Sequence, residues 1–190
     1  MTMEPHTRSE DGFTLIELLV YCMLLVIVVA IASGMLITVM KTSTTVTAMN
    51  DTTTSGQLAV DSIDSSIRNS SDFQLTNPSG TDQLLITRTA STAAGPITWS
   101  CMAWYYSAAG KGSIRSLRST TTIVPPTAAA LATWTLLDDG VSPLSGTAIF
   151  STTSNQVTVS FKGASANQTP IGITSAAVSR AGASGSPACY

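Results

Sequence analysis

Charge is scarce in this 190-residue chain: Lys, Arg, Asp and Glu make up 11% of it, nine basic against eleven acidic. No basic run forms a stripe or patch, so strong electrostatic binding of nucleic acid has no footing, and nucleic acid is not expected as a partner. Histidine occurs once, as His6. Beyond it there is no imidazole for a Ser-His-Asp or Cys-His nucleophile, or for a histidine-ligated zinc. No glycine-rich phosphate loop follows a strand-like segment. Asp138-Asp139-Gly140 lacks the spaced ligands of a calcium loop and reads as a turn. Asp61 and Asp64 read as solvated charges on a polar helix face. Trp99, Trp104 and Trp134 are scattered through strand-like segments, as core aromatics are. No catalytic residue, metal ligand or cofactor is therefore expected, and the chain does not read as an enzyme.

What the chain does have is one long apolar run. Phe13 to Met40 spans 28 residues whose only charge is Glu17, and the next charge is Lys41. As a helix this run reaches about 42 Å, enough to cross a hydrocarbon core of roughly 30 Å. A plain membrane anchor and a secretory signal both fit the length, and Ala30-Ile31-Ala32 before Ser33 has the small-residue pattern of a signal cleavage site. A protein released there would be a secreted β protein that has lost Glu17. The flank opposes a secretory signal, because Met1–Glu17 sets Arg8 against Glu4, Glu10, Asp11 and Glu17 where a basic stretch is required. Bulky Tyr21 before Cys22 opposes a lipoprotein. Under each of these readings Glu17 is unexplained, since an acidic group at bilayer depth costs about 2.5–3.5 kcal/mol on insertion scales and calls for a partner.

Gly12-Phe13-Thr14-Leu15-Ile16-Glu17-Leu18-Leu19-Val20 closely resembles the processing motif of type IV pilins and type II secretion pseudopilins. The resemblance implies that a prepilin peptidase cuts between Gly12 and Phe13 and methylates the new N-terminal Phe13. Its one departure is the acidic pair Glu10-Asp11, where leaders of the family usually carry basic residues. The cut creates an amine at the positive end of a helix macrodipole, four residues before Glu17. In a filament of packed apolar helices, Glu17 of one subunit can neutralise the Phe13 amine of its neighbour. Low dielectric strengthens that pairing, and an offset subunit leaves both charges unpaired, so Glu17 is expected to set axial register. The partners implied are the peptidase, other pilin or pseudopilin subunits, an inner-membrane assembly platform and, before assembly, membrane lipid. The place implied is the cytoplasmic membrane as a single-pass protein, with the C-terminal domain outside, and then the filament.

Beyond Lys41, Val46, Met49, Thr53, Gly56, Val60, Ile63 and Ile67 recur at steps of three and four, the stripe of an amphipathic helix. The threonines of 42–54 and the glycines Gly34 and Gly56 predict a bend or loosened turn between Gly34 and Gly56, in one helix from Phe13 to about Ser70. Asn77-Pro78-Ser79-Gly80 is a turn, and strand patterns follow: Leu84–Arg88, Ile97–Tyr106 with both faces partly apolar, Ser113–Arg118, Trp134–Leu137, Thr147–Ser151, Gln156–Lys162 and Ile171–Val178. Apolar content of 44% and these patterns oppose disorder despite the abundance of Ser, Thr, Ala and Gly. The expected fold is α+β: a long N-terminal helix, membrane-spanning in its first half and amphipathic in its second, packed on a C-terminal antiparallel β-sheet domain. The expected divisions are a leader over 1–12, a filament-core helix over 13–40, an amphipathic helix over 41–72 and a β domain over 73–190.

Of the three cysteines, Cys22 lies in the apolar run and reads as a small hydrophobe. Cys101 and Cys189 fall in the part expected outside the membrane, where a disulfide is permitted. A Cys101–Cys189 bridge would hold a Gly/Ser-rich tail that otherwise frays; two separate thiols are the alternative. Leu58–Arg68, Trp104–Arg118 and Leu136–Val141 are also similar to segments of J-type minor pseudopilins and W-type minor pilins. That likeness implies a subunit that helps initiate or cap a filament. A tip adhesin binding DNA or glycan is the alternative of the same architecture.

Overall fold

The structure is a computed structural model that describes residues 14–90, 97–164, 169–180 and 189–190. Its first element is a helix of 54 residues, α1 (Leu15–Arg68). The chain divides into two compact units, Met1–Val46 and Thr47–Tyr190. Within the described residues the first unit is the apolar part of α1. The second holds the end of α1 and β1 (Ser70–Thr76), β2 (Gln83–Ala90), β3 (Trp99–Ser107), β4 (Ser113–Ser119), the short α2 (Ala128–Leu131), β5 (Thr135–Asp139), β6 (Val141–Pro143), β7 (Phe150–Thr153), β8 (Gln156–Gly163) and β9 (Ile171–Val178).

Of the bend or loosened turn expected between Gly34 and Gly56, the loosened turn is absent: α1 is helical throughout. The threonines bond back along their own helix: Thr38 Oγ1 donates to the Gly34 carbonyl at 3.0 Å, and Thr53 Oγ1 to that of Met49 at 2.8 Å. Their hydroxyls thus find acceptors without unwinding the backbone. Gly56 is also no weak point. It is buried, and a Cβ there would overlap Ile173 Cδ1 of β9. The missing side chain is what lets β9 approach the helix.

Strands β1 to β5 form one antiparallel meander in sequence order. In the second sheet β8 pairs with β6, β7 and β9, all antiparallel. Alternation along β2 and β3 sends side chains to two cores. Leu85, Trp104 and Tyr106 join Val60, Ile63 and Ile67 of α1 and Phe150, Val159 and Phe161 of the second sheet. Leu84, Ile86, Cys101, Ala103 and Tyr105 face the other way, onto Ile123, Trp134 and Cys189. The first sheet is therefore covered on both faces, which is why both faces of β3 are apolar. Buried polar groups tie the layers together. Gln83 Nε2 donates to the Phe150 carbonyl at 2.9 Å, and its Oε1 accepts from the Ile149 and Phe150 amides at 2.7 and 2.8 Å. Trp104 Nε1 donates to Ser62 Oγ of α1 at 3.3 Å.

Two expected boundaries move. The helix ends at Arg68 and β1 begins at Ser70, inside the segment expected to be helical to residue 72. Asn69 Nδ2 donates to the Ser65 carbonyl and Ser70 Oγ to that of Ile67, so side chains close the helix where no proline or glycine does. The expected strand Thr147–Ser151 lies later, at Phe150–Thr153, and the Ile149 and Phe150 amides at its start go to Gln83. The C-terminus is held by a disulfide between Cys101 and Cys189, with Cα atoms 5.5 Å apart. The Ile123 amide donates to the Cys189 carbonyl at 2.8 Å, and the Tyr190 hydroxyl donates to the Asp72 carboxylate. Burial, and then the Asp72 partner, push the Tyr190 hydroxyl up to about 12, so it stays a donor throughout the physiological range.

Candidate functional site

The start of α1 is built by Thr14. Its Oγ1 accepts the Glu17 amide at 3.3 Å, and its carbonyl accepts the Glu17 and Leu18 amides at 3.1 and 3.2 Å. Thr14-Leu15-Ile16-Glu17 has the spacing of a capping box, a start signal legible in the sequence itself. Starting the helix at this point puts Glu17 in its first turn, where a carboxylate is favoured by the macrodipole. Glu17 Oε1 accepts the Tyr21 hydroxyl at 3.2 Å, one helical turn further on. Tyr21 was missed, because in the sequence it weighed only as a bulky residue before Cys22. Around this pair the helix presents nothing but apolar side chains. α1 is long and apolar enough to cross a membrane, and none of its most apolar stretch is buried. Cys22 is exposed on the same surface.

Such a surface cannot stay in water: each Leu, Ile or Val on it is worth about 1.5–3 kcal/mol on burial, so lipid or other helices must cover it. A lone carboxylate and its phenol partner at the entrance of that surface form a polar contact that apolar packing does not require. Residues 7–33 match the family model described as the prokaryotic N-terminal methylation motif. This prepilin-type motif supports an N-terminal region like that of type IV pilins and pseudopilins. No curated protein and no solved structure matches the chain. The prepilin motif points to a structural protein, and it implies processing by prepilin peptidase and assembly with other pilin subunits. Gly12 and Phe13, the expected cleavage and methylation positions, lie outside the described residues, as does His6. Of the expected site residues the structure describes Glu17, at the start of α1, and the cysteines that hold the C-terminus.

The acidic residues weighed from sequence are placed differently. Asp64 is half-buried rather than fully solvated. Its Oδ2 accepts from Ser175 Oγ of β9 at 2.6 Å and lies 3.5 Å from Arg68 Nη2, while its Oδ1 is buried without a partner. The packing of β9 on α1 covers it. Asp138 is 5% exposed, and its Oδ2 is buried and unpartnered beside Gly56. Gly140 does adopt the left-handed turn conformation, with φ +74°. A cavity of about 300 Å³ opens there, lined by Asp51, Thr52, Lys111, Asp138 and Asp139. Among the described residues no three His, Cys, Asp or Glu side chains converge as metal ligands. The tryptophans share no platform. Trp104 and Trp134 are buried in different cores, and Trp99 is 40% exposed with Arg88 Cζ 4.0 Å from its ring centroid.

Burial pushes the Asp138 carboxyl from 3.8 up to about 6; an Asp139 amide hydrogen bond opposes this and the Asp139 charge adds to it. The native state holds this proton up to about pH 6, whereas the unfolded chain releases it near 3.8. The contribution of Asp138 therefore favours folding most at low pH and is lost as pH rises through 6. Replacing Asp138 by Asn removes this titration and is expected to flatten the pH dependence of unfolding stability between pH 4 and 7. Denaturant unfolding followed by tryptophan fluorescence across that range measures it. A variant whose stability falls between pH 4 and 7 as steeply as that of the wild type would contradict the assignment.

Proposed function

We propose that this protein is a structural subunit of a type IV filament system, a minor pilin or minor pseudopilin of the J- or W-type. It is cleaved after Gly12, methylated on Phe13, and held in the membrane and then in a filament by α1, with its β domain outside the cytoplasmic membrane. Glu17 of one subunit neutralises the Phe13 amine of the next, and the subunit helps to initiate or cap the filament. The reading is carried by one observation: the apolar stretch of α1 from Leu15 to Met40 is exposed along its length, and its only charge is the partly exposed Glu17 in the first turn. Unpaired, that charge is costly in lipid and repels helix packing; matched with a fresh amine, it selects one axial register. The minor-subunit assignment is supported by the similarity of Leu58–Arg68, Trp104–Arg118 and Leu136–Val141 to those subgroups.

N-terminal sequencing and intact mass of protein extracted from membranes test the reading. The expected result is a chain beginning at N-methyl-Phe13. A mature start at Ser33 would mark a secreted β protein, and retention of Met1–Gly12 in the working form would remove the filament role.

A further inference from the structure

Glu17 has a partner within its own helix that the filament reading does not require. The Tyr21 hydroxyl donates to Glu17 Oε1 at 3.2 Å, and on this face of α1 Tyr21 is exposed and Glu17 partly exposed. Side chains of a helix lean toward its N-terminus, so the Tyr21 ring lies back over the preceding turn, where Glu17 stands. We propose that Tyr21 is a positioning residue for assembly: it holds the Glu17 carboxylate, supplies one hydrogen bond to it in lipid, and leaves the remaining acceptor positions for the amine of a neighbouring subunit. This inference rests on the filament reading and deepens it by naming what prepares the charge before its partner arrives.

Three considerations carry it. An ionised carboxylate offers about four lone-pair sites and a phenol uses one, so the hydrogen bond leaves room for an incoming ammonium. A charge-assisted bond is stronger than a neutral one and counts most where water is scarce, so it lowers the penalty of holding Glu17 at the membrane before assembly. A tyrosine ring also suits this position, with an apolar body against lipid and a polar tip at the entrance of the bilayer. Phenylalanine would serve the apolar role equally well. The hydroxyl is therefore the part that needs a function, and its acceptor is the one carboxylate of the apolar surface.

The experiment uses the full chain, expressed in cells that assemble it and purified into bicelles with ¹³C-labelled tyrosine, of which the chain has four. Glu17→Ala is expected to move the Tyr21 ring Cζ resonance and leave those of Tyr105, Tyr106 and Tyr190 in place. Tyr21→Phe, which keeps the ring, is expected to leave cleavage and membrane level unchanged and to lower incorporation into filaments roughly tenfold. A Tyr21 resonance indifferent to Glu17→Ala overturns the proposal. So does normal incorporation of Tyr21→Phe alongside failure of Glu17→Ala, a result that leaves the filament role of Glu17 standing. Normal incorporation of both variants overturns the proposal together with the reading beneath it.

Discussion

Replacing Glu17 by alanine is expected to leave cleavage after Gly12 and membrane insertion unchanged and to reduce incorporation into filaments by on the order of a hundredfold. The peptidase acts at the other end of the motif, and removing a charge from an apolar helix favours insertion. Assembly is different. The neighbour's Phe13 amine would enter a packed apolar environment with no counter-charge, and breaking one side of a buried ion pair costs about 3–5 kcal/mol. Glu17→Gln should fall between the two, because an amide still accepts a hydrogen bond and carries no charge. Comparing sheared filaments with the membrane fraction by immunoblot measures the effect. Wild-type amounts of Glu17→Ala in the filament fraction would end the proposed role of this residue, whatever the state of the N-terminus.

The second large effect concerns the β domain. Substituting both Cys101 and Cys189 by Ser is expected to lower unfolding stability by about 4 kcal/mol, the loop-closure value for a long loop. The two cysteines are 88 residues apart in sequence, so the bridge removes much of the freedom of the unfolded chain. The native state loses more than a covalent bond. Cys189 sits in the second core with Trp134 and Ile123, and Tyr190 bonds Asp72, so an undocked tail would expose the face of the first sheet carrying Leu84 and Ile86. Unfolding in urea, read by tryptophan fluorescence, gives the stability. Limited proteolysis reports the tail, and earlier cleavage near the C-terminus is expected in the double variant. Because both sulfurs are buried, added thiol should reduce the native bridge slowly and the partly unfolded one quickly.

Much of this was legible locally. The three- and four-residue steps through Val60, Ile63 and Ile67 marked the face of α1 that is buried. The alternation in β3 marked a strand with two apolar sides, and the structure supplies a core on each. β1 was not legible, since Ser70–Thr76 carries only Phe73 and Leu75 as apolar residues and continues a serine-rich helix end. Gly56 and the threonines before it argued for a weakened helix by propensity alone. Tertiary packing against Ile173 and hydroxyl bonds to backbone carbonyls reversed that argument. Asp64 and Asp138 misled for one shared reason: their burial is imposed by elements far along the chain, β9 in one case and the approach to Gly56 in the other.

By itself the sequence determined the membrane-capable helix, the isolated acidic group at its head and the succession of helix then strands, because each follows from composition and periodicity within a few turns or residues. Only the tertiary structure decided which carboxylates are stripped of water, that Gln83 joins two sheets, and that the last two residues close a core. Those outcomes depend on which distant segments come into contact, and a short stretch of sequence carries no energy term for a neighbour a hundred residues away.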